Sequence, residues 1–310
     1  MMKLAALAFL FPVSAYAGMG SCYQVPAGVT QPAGAIAVKA NCLALYENFT
    51  SNANIDTGAT DAPGYGWYPG NTAHNWFGYP QLPTSDWTTG ANGLAITTQP
   101  KPGGMGLQST ALVDNSTGAY VGRVFQAPFD YQIQTTIDTF QAPGGTGTAP
   151  CGVGGANVTR YSWPALWLQD VLLTYQQSIS GGTLPSNRSE IDVTEASLSG
   201  GCTGGTFANI LQNVHYWTSW NGYNTGFSGT ISPTGWNGST YHAVEVVAKR
   251  RVDGGGTGSV TFSVDGAQTN QTTWTDLTGV GAVENSTYML FHNPGINWAQ
   301  KVASEEMWTQ

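Results

Sequence analysis

The residues best equipped for chemistry lie together in Ser189-Glu190-Ile191-Asp192-Val193-Thr194-Glu195-Ala196, which sets three acids in a β-favouring stretch. Two carboxyl groups held roughly 5 Å apart can share a displacement at an anomeric carbon, one attacking it and the other protonating the leaving oxygen. Proximity helps, because like charges push one pKa upward and keep one acid protonated near neutral pH. On a regular strand Glu190 and Asp192 share a face, whereas Glu195, five positions from Glu190, points to the other. The chemistry therefore requires a β-bulge between Asp192 and Glu195, which adds one residue to the local count and returns Glu195 to its partners' face. Without the bulge the segment is an amphipathic strand with acids in water. Against that plainer reading, only 9% of residues are charged, and three acids crowded on one strand repel one another.

The elements that must position these acids read as strands. Gly, Ser, Thr and Asn are abundant and Trp numbers 11, a mixture that favours strands and loops over exposed helices. Strict alternation in Tyr131-Gln132-Ile133-Gln134-Thr135-Thr136-Ile137 and Thr261-Phe262-Ser263-Val264-Asp265 marks half-buried antiparallel strands. Further strand-like runs cover 94–98, 131–140, 165–169, 190–196, 210–216, 242–249, 259–264, 287–291 and 302–308. With Gly-rich turns and no long helical period, the pattern predicts an all-β sandwich or barrel.

The formal charge of -8 opposes binding to a phosphate backbone, which relies on clustered Lys and Arg. A neutral polysaccharide fits better, its hydroxyls met by Asn, Gln, Asp and Glu and its ring faces by the Trp and Tyr surplus. Residues 1–17 read as a signal peptide, with Lys3, the apolar run from Leu4 to Val13 and Ala15-Tyr16-Ala17. The run is too short to span a bilayer core. The expectation is a secreted monomer, extracellular or periplasmic, without a membrane partner. Residues 18–42 read as a loop-rich N-terminal segment and 43–310 as one catalytic domain. Cys22, Cys42, Cys151 and Cys202 predict two disulfides in an exported chain. Cys22 with Cys42 and Cys151 with Cys202 is the favoured pairing of three. Sequons at Asn48, Asn115, Asn157, Asn187, Asn237, Asn270 and Asn285 mark surface positions if the host glycosylates.

Upstream of the acids stands Trp163-Pro164-Ala165-Leu166-Trp167-Leu168-Gln169. With Glu190-Ile191-Asp192-Val193-Thr194-Glu195 it resembles glycoside hydrolase family 16. Lesser matches are Glu47-Asn48-Phe49, Val214-His215-Tyr216, Tyr241 to Ala248, Val260 to Gly266 and Ser304 to Trp308, in order from about residue 43 to the end. The resemblance implies a concanavalin A-like β-jelly-roll sandwich of two antiparallel sheets. It also implies Glu190 as nucleophile, Glu195 as general acid/base and Asp192 as the assisting carboxylate. The five-position spacing looks like the laminarinase, agarase and carrageenase branches, which implies an endo-acting, retaining enzyme on β-1,3- or mixed-linkage glucan. A galactan-cleaving or transglycosylating enzyme on the same fold is the first alternative, and a non-catalytic carbohydrate-binding lectin the second. This chain departs from the family pattern at Phe129 to Thr135, which lacks the usual Glu and Arg.

Substrate contacts are expected from Trp163 and Trp167, which share a side of their strand, from His215 beside the acid/base, and from Trp298. His74 and Trp76 sit in an aromatic loop that suits a subsite wall. Four scattered histidines lack metal spacing, and no nucleophile elbow is present. No cofactor or catalytic metal is expected. By analogy with the family, Glu47 and Glu305 are candidates for a structural calcium.

Overall fold

The computed structural model describes residues 22, 25–38, 40–69, 84, 87–97, 108–114, 119–139, 165–173, 188–196, 210–219, 222–231, 240–253, 255–293 and 298–310. In chain order the strands begin β1 (Cys42–Glu47), β2 (Tyr68–Pro69), β3 (Trp87–Gly90), β4 (Gly93–Thr97), β5 (Gln108–Ser109) and β6 (Ala111–Val113). Next come β7 (Tyr120–Gly122), β8 (Phe125–Gln126), β9 (Phe129–Thr139), β10 (Ala165–Asp170), β11 (Arg188–Ala196) and β12 (Ile210–Ser219). The chain ends with β13 (Gly222–Ile231), β14 (His242–Lys249), β15 (Gly258–Val264), β16 (Ala267–Trp274), β17 (Thr287–Asn293) and β18 (Trp298–Thr309).

Among the described residues these strands build two antiparallel sheets of eight and the separate β6-β7 hairpin. A back sheet runs β16-β15-β14-β9-β18-β4-β3, with β1 also on β18, and a front sheet runs β13-β12-β11-β10-β17-β5-β2, with β8 also on β17. Each turns an apolar face inward. Ile133, Val246, Phe262 and Met307 of the back sheet belong to the same buried cluster as Leu166, Leu168, Ile191 and Val214 of the front sheet. Burying one such side chain stabilises by roughly 1.5–3 kcal/mol, which is what holds the sheets together. The expected all-β sandwich is the observed architecture. Among the described residues, no helix is long and apolar enough to cross a membrane.

Two long strands were not apparent from periodicity. β13 and β16 are the outer strands of their sheets, and their sequences, Gly-rich in one and Gln-, Asn- and Thr-rich in the other, lack the apolar alternation of a half-buried strand. An outer strand needs less apolar surface than a central one. β16 is instead fixed by its hairpin with β15. There Asp265 and Gly266 take φ values of 51° and 76° between the paired residues Val264 and Ala267, the two-residue turn whose twist matches antiparallel strands.

The N-terminal segment is more ordered than its composition predicts. A short helix, α1 (Ala33–Ala37), lies on the outside of the back sheet. Ala35, Val38 and Ala40 pack there with Leu43, Val247 and Trp308. At Gly34 a Cβ would crowd the carboxylates of Asp130 and Glu245. The expected Cys22–Cys42 disulfide ties this strap to β1. Residues 1–17, Cys151 and Cys202 lie outside the described residues.

Candidate active site

β11 crosses the middle of the front sheet between β10 and β12. Its inward side chains, Ile191 and Val193, enter the core between the sheets, so Glu190 and Asp192 project from the opposite, outward face. Pairing continues regularly from Glu190↔His215 to Asp192↔Asn213, then shifts before Glu195↔Leu211. On the other side Leu166 pairs with Thr194 and Trp167 with Asp192, so Val193 is the extra residue. This is the bulge that the acid spacing requires. It brings Glu195 to the outward face with the other two acids.

The cluster is tightly connected. Asn213 Nδ2 donates to Glu195 Oε2 at 2.8 Å and to Asp192 Oδ2 at 3.2 Å. His215 Nε2 lies 3.0 Å from the same Asp192 oxygen, and His215 Nδ1 is 3.2 Å from the Thr225 hydroxyl. A neutral imidazole that donates from Nε2 and accepts from Thr225 satisfies both contacts. Asp192, Asn213 and His215 are all buried, while Glu190 and Glu195 are partly exposed.

Burial pushes the Glu190 carboxyl well above the usual carboxylate range, and the charges of Asp192 and Glu195 and a hydrogen bond with Asp192 push it further. The nearby Trp217 indole opposes the shift. Ligand atoms of Glu190, Asp192 and His215 lie within 4.8 Å of one another, close enough to hold a metal ion. The contact between His215 and Asp192 satisfies two of those groups without one.

The aromatic residues expected to hold substrate fare differently from the acids. Trp167 lies in the same transverse row as Asp192, but its ring stacks on Phe291 at 4.8 Å and 9° and is 9% exposed. It packs with Ala165, Met289 and Tyr68 under the β6-β7 hairpin. Trp167 is thus a packing residue rather than an open platform, because the hairpin covers this end of the sheet. Trp163, His74, Trp76 and the side chain of Trp298 lie outside the described residues. The backbone of Trp298 opens β18, a strand of the back sheet.

The expected calcium ligands do not fit that ion. Glu47 and Glu305 are paired across β1 and β18, yet Glu47 accepts from Asn48 N, Phe49 N and Asn54 Nδ2. Glu305 Oε2 accepts the Tyr131 hydroxyl at 2.8 Å and sits 3.3 Å from His292 Nε2. The His292 ring in turn stacks on Trp67. Calcium takes six to eight oxygen ligands, whereas donors already meet three of the four carboxylate oxygens of this pair and Glu305 Oε1 alone has no hydrogen-bond partner.

Asn213 was not foreseen from the sequence. Its signal is present all the same: it lies two residues before His215, so any strand that turns His215 to the acids turns Asn213 there too.

No family model and no curated protein sequence matches the chain. Solved structures do. An endo-1,3-beta-glucanase from Streptomyces sioyaensis superposes with a TM-score of 0.52 at 16% identity, covering 90% of this chain and 98% of that one. A family 16 enzyme of Bacteroides ovatus, solved with a mixed-linkage glucan product, gives 0.50 at 11% identity over 85% and 99%. A non-specific endo-beta-1,3(4)-glucanase from glycoside hydrolase family 16 gives 0.50 at 13% identity over 86% and 90%. The chain therefore has the β-jelly-roll sandwich fold seen in glycoside hydrolase family 16.

Proposed function

We propose that this protein is a secreted, retaining endo-glycosidase of the family 16 kind that hydrolyses β-1,3- or mixed-linkage glucan. The observation that carries the reading is the bulge at Val193, which lets Glu190, Asp192 and Glu195 act on one bound sugar. Glu190 attacks the anomeric carbon; the glycosidic C–O bond breaks, and its electron pair goes to the leaving oxygen, which takes the Glu195 proton. Glu195 then removes a proton from water as that water displaces Glu190 and restores the free enzyme. His215 and Asn213 hold Asp192, which faces Glu190.

The electrostatics add a condition. Burial and neighbouring charge favour a protonated Glu190 in the free protein, so the nucleophile must lose that proton before it attacks. Activity should rise with pH along an acidic limb displaced upward from the ordinary carboxylate range. The roles of the two glutamates rest on the family resemblance, since a protonated Glu190 would by itself also suit an acid.

Reducing-sugar release from laminarin, lichenan, agarose and carrageenan tests the reading. Wild type should cleave laminarin or lichenan, and Glu190→Gln should lose at least roughly 10³-fold of that activity. Cleavage of agarose or carrageenan alone would move the substrate to galactans. Binding without turnover on all four would make the protein a lectin.

A further inference from the structure

We propose that Asn213 is a positioning residue that fixes the Glu195 carboxylate and sets its readiness to ionise; this rests on the reading of Glu190 and Glu195 as the reacting pair. The bulge at Val193 solves only half of the geometric problem. It returns the Cβ of Glu195 to the outward face, but two further side-chain bonds still rotate before the carboxylate is reached. Asn213 supplies the missing constraint. It stands on β12 directly opposite Asp192 and is 3% exposed.

An amide nitrogen has two N–H donors. Asn213 Nδ2 meets Glu195 Oε2 at 2.8 Å and Asp192 Oδ2 at 3.2 Å, one carboxylate for each donor. The opposite amide orientation would aim a carbonyl oxygen at two carboxylates, so the nitrogen belongs where it is. Asp192 is held from a second direction by His215 Nε2 at 3.0 Å, and His215 by the Thr225 hydroxyl at 3.2 Å. The chain Thr225-His215-Asp192-Asn213-Glu195 thus crosses three strands and anchors Glu195 to the buried Asp192.

One consequence follows for the chemistry. A donated N–H favours the charged carboxylate, so losing Asn213 should make Glu195 harder to ionise. It tunes the group that must be an acid in the first half-reaction and a base in the second.

The test compares wild type, Asn213→Ala and Asn213→Asp, the last matching the native shape while replacing the donor by an acceptor. Carboxyl titrations are followed by carbon-13 NMR on protein labelled at the glutamate carboxyl carbon, with Glu195→Gln assigning the Glu195 signal. The Glu195 titration should move up by roughly one pH unit in Asn213→Ala and further in Asn213→Asp. The basic limb of kcat/KM should move with it while KM changes little. A Glu195 titration identical in all three proteins would overturn the proposal. Because NMR does not depend on turnover, the two claims separate. Full activity in Glu190→Gln sinks the glycosidase reading while the titration still judges Asn213; a dead Glu190→Gln with unmoved titrations sinks Asn213 alone.

Discussion

A carboxyl group that burial keeps protonated weakens the fold as the solution becomes more basic. For Glu190 the folded-state pKa lies above the unfolded value of about 4.3, so the folded chain binds more protons and its stability falls as pH rises through the folded pKa. Glu190→Gln removes that loss. It should melt at a higher temperature than wild type at pH 8, and the difference should vanish near pH 4. Thermal melts across that range read the sign directly. Asp192 is different, for it is buried and receives hydrogen bonds from Asn213 and His215. Asp192→Asn should lower kcat roughly 10²–10³-fold with little change in KM, as steady-state kinetics on laminarin will show. At this scale the sequence is explicit about the acids and names one of their supports, His215, but does not single out Asn213. Asn213 resembles any of the many asparagines until a strand pairing sets it opposite Asp192.

At the scale of elements, the site depends on one extra residue in β11 and on strands that keep their register beside it. The need for a bulge could be read from the five-residue spacing, because a regular strand splits the glutamates. The flanking strand β13 was not legible, since its glycines and polar residues carry no period-two signal. What holds that end together is a contact between sheets: Gln212 Oε1 accepts from Thr269 Oγ1 at 2.8 Å and from Asn270 Nδ2 at 2.6 Å. Both donors sit on the outer strand β16. Gln212→Ala would deprive both of that acceptor and should cost about 1–3 kcal/mol, measured by urea unfolding, while the acids on the opposite face keep their activity. Asn270 is also a sequon position, so a glycan there would compete with this link.

For the whole molecule, the sandwich was legible because most central strands alternate, whereas the N-terminal strap was not. Ala33 to Ala37 has neither a side-chain cap nor charges, and the back sheet beneath it gives it a reason to be helical. Beneath it, burial and the nearby Glu245 carboxylate raise Asp130 to about 8, with Glu306 adding to the shift and Gln132 opposing it. Here too the folded value exceeds the unfolded one of about 3.9. The stability advantage is present below pH 4 and is lost as pH rises through about 8. Asp130→Asn should therefore flatten the fall in melting temperature between pH 5 and 9, which calorimetry would detect. Replacing both Cys22 and Cys42 by Ser frees the strap and should cost about 3 kcal/mol, the closure entropy for a sequence separation of 20.

The central claim is that Glu190 forms a covalent bond to the sugar, and the most direct measurement is mass spectrometry after reaction with a 2-deoxy-2-fluoro glucan oligosaccharide carrying a dinitrophenyl leaving group. The added mass of one 2-deoxy-2-fluoro-oligosaccharyl group, the reagent less its dinitrophenolate, on the proteolytic peptide at Glu190 and absent from Glu190→Gln, is the predicted result. An adduct on Glu195, or an active enzyme that never acquires the label, would contradict it.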